Sequence, residues 1–182
     1  MNQTKPLPID TILMLVLGTV YVSGVNEALG AFLMLPVGSY IILDTLSRSN
    51  ILRVSPGKLF DTKFALVMLT VFLVVVLPTV SWMMIRQATN PWQHIIDGGL
   101  QTEEAIKYLL QGKNPYTEDY IGTPLVNWFH PIEGVEENPA LYHNVYLPFS
   151  FLFSVPFYLV VKNVTGWYDQ RLVYLLLFIC TL

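Results

Sequence analysis

Long uncharged stretches alternate with short polar ones along this chain. Residues 64–85 form a run of about 22 without a single charge. At ~1.5 Å of rise per residue this run is roughly 33 Å long, enough to cross a hydrocarbon core of ~30 Å. Pro78 lies in its last third and predicts a kink or an early end. Residues 11–25 and 28–43 are two shorter apolar runs separated by Gly24, Asn26 and Glu27. They predict a transmembrane hairpin over 1–47 with its turn at 24–27. A signal peptide is the rival reading of the first run, but only Lys5 precedes Asp10, and a basic leader is missing. Residues 145–161 form a fourth run, interrupted by Pro148 and Pro156. A fifth, 172–182, holds only about 11 residues where a span needs roughly 20. The pattern therefore reads as the N-terminal portion of a longer protein, with the last helix truncated.

The expected fold is an all-α polytopic membrane protein. It has about five transmembrane helices and a large external loop carrying an interfacial amphipathic helix. The organisation follows from the runs: the hairpin, a cytoplasmic loop at 48–63, a span at 64–86, the external loop at 87–144, a span at 145–161, a cytoplasmic link at 162–171 and the truncated helix at 172–182. Lys and Arg placement sets the orientation. Arg48, Arg53, Lys58 and Lys63 cluster in one loop, and Lys162 and Arg171 in the later link. The stretch 87–144 has only Lys107 and Lys113 against eight acids. The N-terminus is expected in the cytoplasm and the long loop outside, at a prokaryotic cell membrane.

Composition agrees with a lipid bilayer as solvent. Hydrophobic residues make up 53% of the 182 and charged residues 13%, about half the usual charged share. A net charge of -3 excludes the basic footprint of a nucleic-acid binder. The single Cys180 excludes an internal disulfide.

Candidate chemistry concentrates in the external loop. A helix is expected near 102–112, with Thr102 as N-cap and Glu103 and Glu104 at the favourable end of the dipole. Ala105, Ile106, Leu109 and Leu110 make its apolar stripe, Glu103 and Lys107 an i,i+4 pair, and Gly112 the stop. Such a helix beside a span is expected to lie in the membrane interface. The alternative is packing against the rest of the loop. Asp97, followed by Gly98 and Gly99, is either a turn aspartate or a carboxylate at the membrane surface. In the second reading it acts as a general base or binds a divalent cation. Glu118 and Asp119, and the cluster Glu133, Glu136 and Glu137, read as solvated acids. His94, His130 and His143 do not stand at zinc-binding spacings. His143 precedes Tyr146 at a membrane entrance, where it either meets a phosphate or sugar or anchors the chain at the interface. Trp82, Trp92, Trp128, Tyr142 and Tyr146 suit an interfacial belt. Phosphate-binding, nucleophile-elbow and CxxC motifs are absent.

Asp97, the amphipathic Glu103-Glu104-Ala105-Ile106-Lys107-Tyr108-Leu109-Leu110, the Gly112-Lys113-Asn114-Pro115-Tyr116 stretch and the Tyr146-Leu147-Pro148-Phe149 element stand in a familiar order. This order resembles the first external loop of polytopic C-type-fold glycosyltransferases, in the mannosyltransferase-like branch that uses polyprenyl-phosphate sugars. The resemblance covers residues 64–161. It departs from the family where Gly98 replaces a second acid after Asp97, and where a hairpin precedes the span. It implies a polyprenyl-phosphate sugar donor, an acceptor hydroxyl on a glycan, lipid or protein, and Asp97 as the catalytic base. It implies substrate contacts from Glu103, Glu104, Lys113, Asn114, Tyr116, His143 and Tyr146, and leaves open whether a divalent cation is needed. The competing expectation is a non-catalytic assembly or scaffold subunit that binds a partner through the loop.

Overall fold

The computed structural model describes residues 8–23, 27–128 and 138–182. It is all-α, with six helices among the described residues. The chain divides into two compact units, Met1–Pro78 and Thr79–Leu182.

In the first unit, α1 (Ile9–Ser23) and α2 (Glu27–Arg48) run antiparallel, with Thr11 beside Asp44 and Gly18 beside Val37. Gly18 allows the close approach, since a Cβ there would stand 2.9 Å from Val37 Cγ1. Met14, Val37 and Tyr40 are the buried core of this contact. At the polar end, Lys63 Nζ lies 2.7 Å from Asp10 Oδ2 and 2.9 Å from Asp44 Oδ1. The Thr11 hydroxyl donates to Asp44, and the Tyr40 hydroxyl to Asp10.

The helix α3 (Pro56–Ala88) has 33 residues and runs from the first unit into the second. Ser55 stands at its N-cap with Pro56 at the first helical position, where the missing N–H costs nothing. Pro78 neither ends it nor stands alone, because a π-helical turn, Phe72–Val76, precedes it. The wider turn loosens the hydrogen-bond ladder just where a proline removes a donor.

The second unit holds α4 (Asp97–Leu110), α5 (Pro148–Thr165) and α6 (Arg171–Cys180). Two short 3-10 turns, Pro124–Asn127 and Pro139–Leu141, lie in the long connection between α4 and α5. Pro148 opens α5, and Gly166 closes it in the left-handed region at φ 79°. One core packs Ala105 and Ile106 of α4 against Phe151, Tyr168 and Val173. A second packs Leu100 against Tyr120, Leu125, Ala140 and Leu141, with Trp92 and Trp128 alongside.

Several expectations need correction. The chain does not form five transmembrane spans. Only α3 is long and apolar enough to cross a membrane among the described residues, and it is largely exposed. Helix α1 has 15 residues, roughly 22 Å, and α6 has 10. Helix α2 carries Asp44 and Arg48 within its length, and α5 carries Lys162 and Asn163. The alternation of sides fails as well. Asp169, in the link at 162–171, lies 2.9 Å from Arg86, at the opposite end of the expected topology. Helix α5 therefore does not carry the chain away from the end of α3. Nor is the loop helix an interfacial one. It begins five residues earlier than expected, at Asp97, and its residues from Gly98 to Ile106 are buried. Thr102 is no N-cap. It is internal, and its hydroxyl donates to the Gly98 carbonyl. Lys107 pairs with Glu104 rather than Glu103.

Candidate active site

The site is built on a loop clamped by three side chains. Between α3 and α4, the Pro91 carbonyl accepts from Arg86 Nε at 2.6 Å. The His94 carbonyl accepts from Arg171 Nη1 at 2.7 Å, and the Ile95 carbonyl from Trp128 Nε1 at 2.8 Å. His94 itself holds φ 59°, in the left-handed region that non-glycine residues rarely enter. Its ring stacks on Trp82 with centroids 4.9 Å apart. These contacts fix where α4 starts, and Asp97 is its first residue.

The clamp is anchored in a buried ionic network. Arg86 engages Glu103 through both terminal nitrogens, at 2.8 and 2.7 Å, and reaches Asp169 at 2.9 Å. Arg171 holds both oxygens of Asp169, at 2.9 and 2.7 Å. The Gln170 backbone N–H donates to Glu103 at 2.8 Å. Two guanidinium groups thus face two carboxylates, which is the balance a low-dielectric interior requires. Burial pushes the Glu103 carboxyl up from its ordinary range, against the opposing pull of Arg86. Burial also acts to raise Asp169, but the two guanidinium groups outweigh it and hold that carboxyl low.

Asp97 is half-buried, and its Oδ1 accepts from the Gly98 N–H at 2.7 Å. The Tyr146 phenol lies directly over Gly98, where a Cβ would come within 2.2 Å of its oxygen. Only glycine leaves room for this approach. Burial raises the Tyr146 phenol, and the nearby Asp97 charge adds to the effect, so it stays a neutral hydrogen-bond donor. Tyr146 is placed in turn by a short chain of contacts. The Tyr116 hydroxyl donates to the Tyr146 carbonyl at 2.7 Å, and Asn114 Oδ1 accepts from the Tyr116 N–H at 3.1 Å.

Tyr146 also borders a cavity of about 370 Å³ between α5 and α6. Leu147, Phe149, Phe153, Val173 and Leu177 supply its apolar walls. A second cavity, of about 360 Å³, brings Lys113, Asn114 and Tyr116 together near the start of α5.

The remaining expected site residues are placed differently. Glu103 is committed to Arg86. Glu104 is buried and bonds Lys107 at 2.6 Å. Lys113 is exposed and pairs with Glu118 at 2.9 Å. His143 is exposed, and only its carbonyl is used, accepting from Gln101 Nε2 at 2.9 Å. Trp92 and Trp128 are partly buried and pack against the core around Leu100. His130, Glu133, Glu136 and Glu137 lie outside the described residues. Among the described residues, no group of three His, Cys, Asp or Glu side chains is placed to hold a metal ion. Asp97 by itself does not make a cation site.

Arg86, His94, Asp169 and Arg171 were invisible as a group in the sequence. Arg86 and Asp169 are separated by 83 positions, and no spacing rule joins them. The clue the sequence did hold was an arginine at the end of an uncharged run, which asks for a partner.

What this arrangement offers chemically is a carboxylate near a neutral phenol, with the phenol bordering an apolar cavity. A carboxylate so placed accepts a proton from a hydroxyl within hydrogen-bond reach. No family model, curated protein or solved structure matches this chain.

Proposed function

We propose that this chain forms the catalytic edge of a membrane-attached glycosyltransferase that moves a sugar from a polyprenyl phosphate to an acceptor hydroxyl. The observation that carries the proposal is the position of Tyr146, which borders the apolar cavity between α5 and α6 and lies over Gly98, the residue whose N–H donates to Asp97. An isoprenoid chain needs apolar walls, and its sugar-phosphate end needs polar groups where those walls stop. In this scheme α3 provides the attachment to the bilayer, through its length and apolar surface.

The chemistry balances simply. The acceptor oxygen attacks the anomeric carbon, and the bond from that carbon to the phosphate oxygen breaks. The bonding electrons leave on the phosphate. Asp97 takes the acceptor's proton as the new bond forms. The Tyr146 phenol donates a hydrogen bond that orients sugar or phosphate oxygens. Asn114 and Tyr116 act on Tyr146 rather than on substrate.

The test is sugar transfer from a polyprenyl-phosphate donor, measured in membranes from cells expressing the native gene product. Asp97→Asn is expected to abolish transfer without lowering protein level or melting temperature, because Asp97 is outside the buried ionic network. Normal turnover by this variant would remove the carboxylate from the mechanism.

A further inference from the structure

A third cavity in the second unit shares no lining residue with the two already described. It measures about 220 Å³. That is room for one small polar group and too little for a drug-sized molecule. Arg86, Lys107 and Lys162 contribute three cations to its wall, with Trp167 and Tyr158 beside them.

The charges do not cancel. Glu103 and Asp169 also line the cavity, but Arg86 and Arg171 already match them one for one. Lys107 is matched by Glu104. Lys162 has no ion pair among the described residues, yet it lies on the wall of this concave space. An uncompensated ammonium beside a concave surface raises the positive potential there.

We propose that this cavity binds a phosphate group, with Lys162 as its ligand. The anion comes from one of two sources, a phospholipid headgroup or a soluble phosphate. Trp167, next to Lys162 at the end of α5, suits the first, because Trp and Lys together favour headgroup depth. The site stands independently of the role given to Asp97.

The test uses the 182-residue chain in detergent micelles and inorganic phosphate as the probe, followed by phosphorus NMR line broadening. Binding with a dissociation constant below about 10 mM is expected, in the range of a weak single-site anion complex. Lys162→Gln should weaken it about tenfold, the loss of one charge-assisted hydrogen bond. Lys162→Arg should keep it, since a guanidinium binds phosphate as well. The exposed position of Lys162 lets both variants fold, which circular dichroism checks. Phosphatidylglycerol added to the micelle then assigns the source. Displacement of phosphate by this lipid, and not by diacylglycerol, means a lipid headgroup; no displacement means a soluble phosphate. Either supports the site. Absence of phosphate binding, or equal binding by wild type and Lys162→Gln, overturns it.

Discussion

Replacing Arg86 with Met should unfold the second unit under mild conditions. The substitution keeps the apolar stem and removes one charge. It leaves Glu103, with a side chain 7% exposed, facing only the Gln170 N–H among its former donors. Asp169 keeps Arg171 and suffers less. Removing one partner of a buried ion pair costs about 3–5 kcal/mol, because the other charge stays buried without compensation. For a unit of this size each kcal/mol shifts the midpoint by about 4–8 °C, so a drop of at least roughly 12 °C is expected. The pH dependence gives a second signature. Without Arg86, Glu103 holds its proton more tightly in the folded than in the unfolded state. Stability of the variant should then fall as pH rises from about 4.3 through the raised folded-state value. The penalty is therefore larger at pH 8 than at pH 5. The assay is thermal denaturation in detergent at both pH values, read by circular dichroism and by proteolysis of the region after Pro78. Arg86→Met with Glu103→Met should recover part of the loss, since the buried charge is gone. A single variant within about 1 kcal/mol of wild type at pH 8 would refute the network's structural role.

Two further outcomes follow from close contacts. Gly98→Ala places a methyl group 2.2 Å from the Tyr146 oxygen and 2.6 Å from Cζ, so the ring must move. Tyr146 is 39% exposed and can swing outward, so melting should change little while transfer falls at least about tenfold, as misplaced catalytic geometry does. In the first unit, the Asp10 carboxyl is lowered to about 2 by hydrogen bonds from Lys63 and then Tyr40. Its contribution to stability is complete above the unfolded value of about 3.9 and is lost as pH falls through about 2. Asp10→Asn should therefore melt below wild type at pH 7, by a modest margin because its side chain is 49% exposed, and the gap should close in acid.

The sequence made some elements legible and hid others for identifiable reasons. Helix α3 was plain in its uncharged run, and Gly112 marked the end of α4, with φ 76° just after the last helical turn. The start of α4 is hidden in the sequence because Gly98 and Gly99 look like a turn. Both are helical, and Tyr146 and Ile95 pack where their side chains would be. Glu103 looked like a surface helix acid because its partner, Arg86, lies 17 positions back, beyond any helical spacing. The five-span expectation failed for a similar reason. Run length measures how apolar a segment is, and a helix such as α5 uses that surface on protein neighbours such as Ala105 and Ile106. Asp97 and Tyr146 are each legible in the sequence, but the approach of Tyr146 to Gly98, beside Asp97, depends on the clamped loop, whose contacts span up to 77 positions.

The most direct measurement is the kinetics of Asp97→Asn beside its ability to retain the polyprenyl-phosphate donor. Transfer should be abolished while donor retention stays at the wild-type level, because the apolar cavity is untouched and only the proton acceptor is lost. Transfer at the wild-type rate, or loss of donor retention together with transfer, would contradict the assignment of Asp97 as the base.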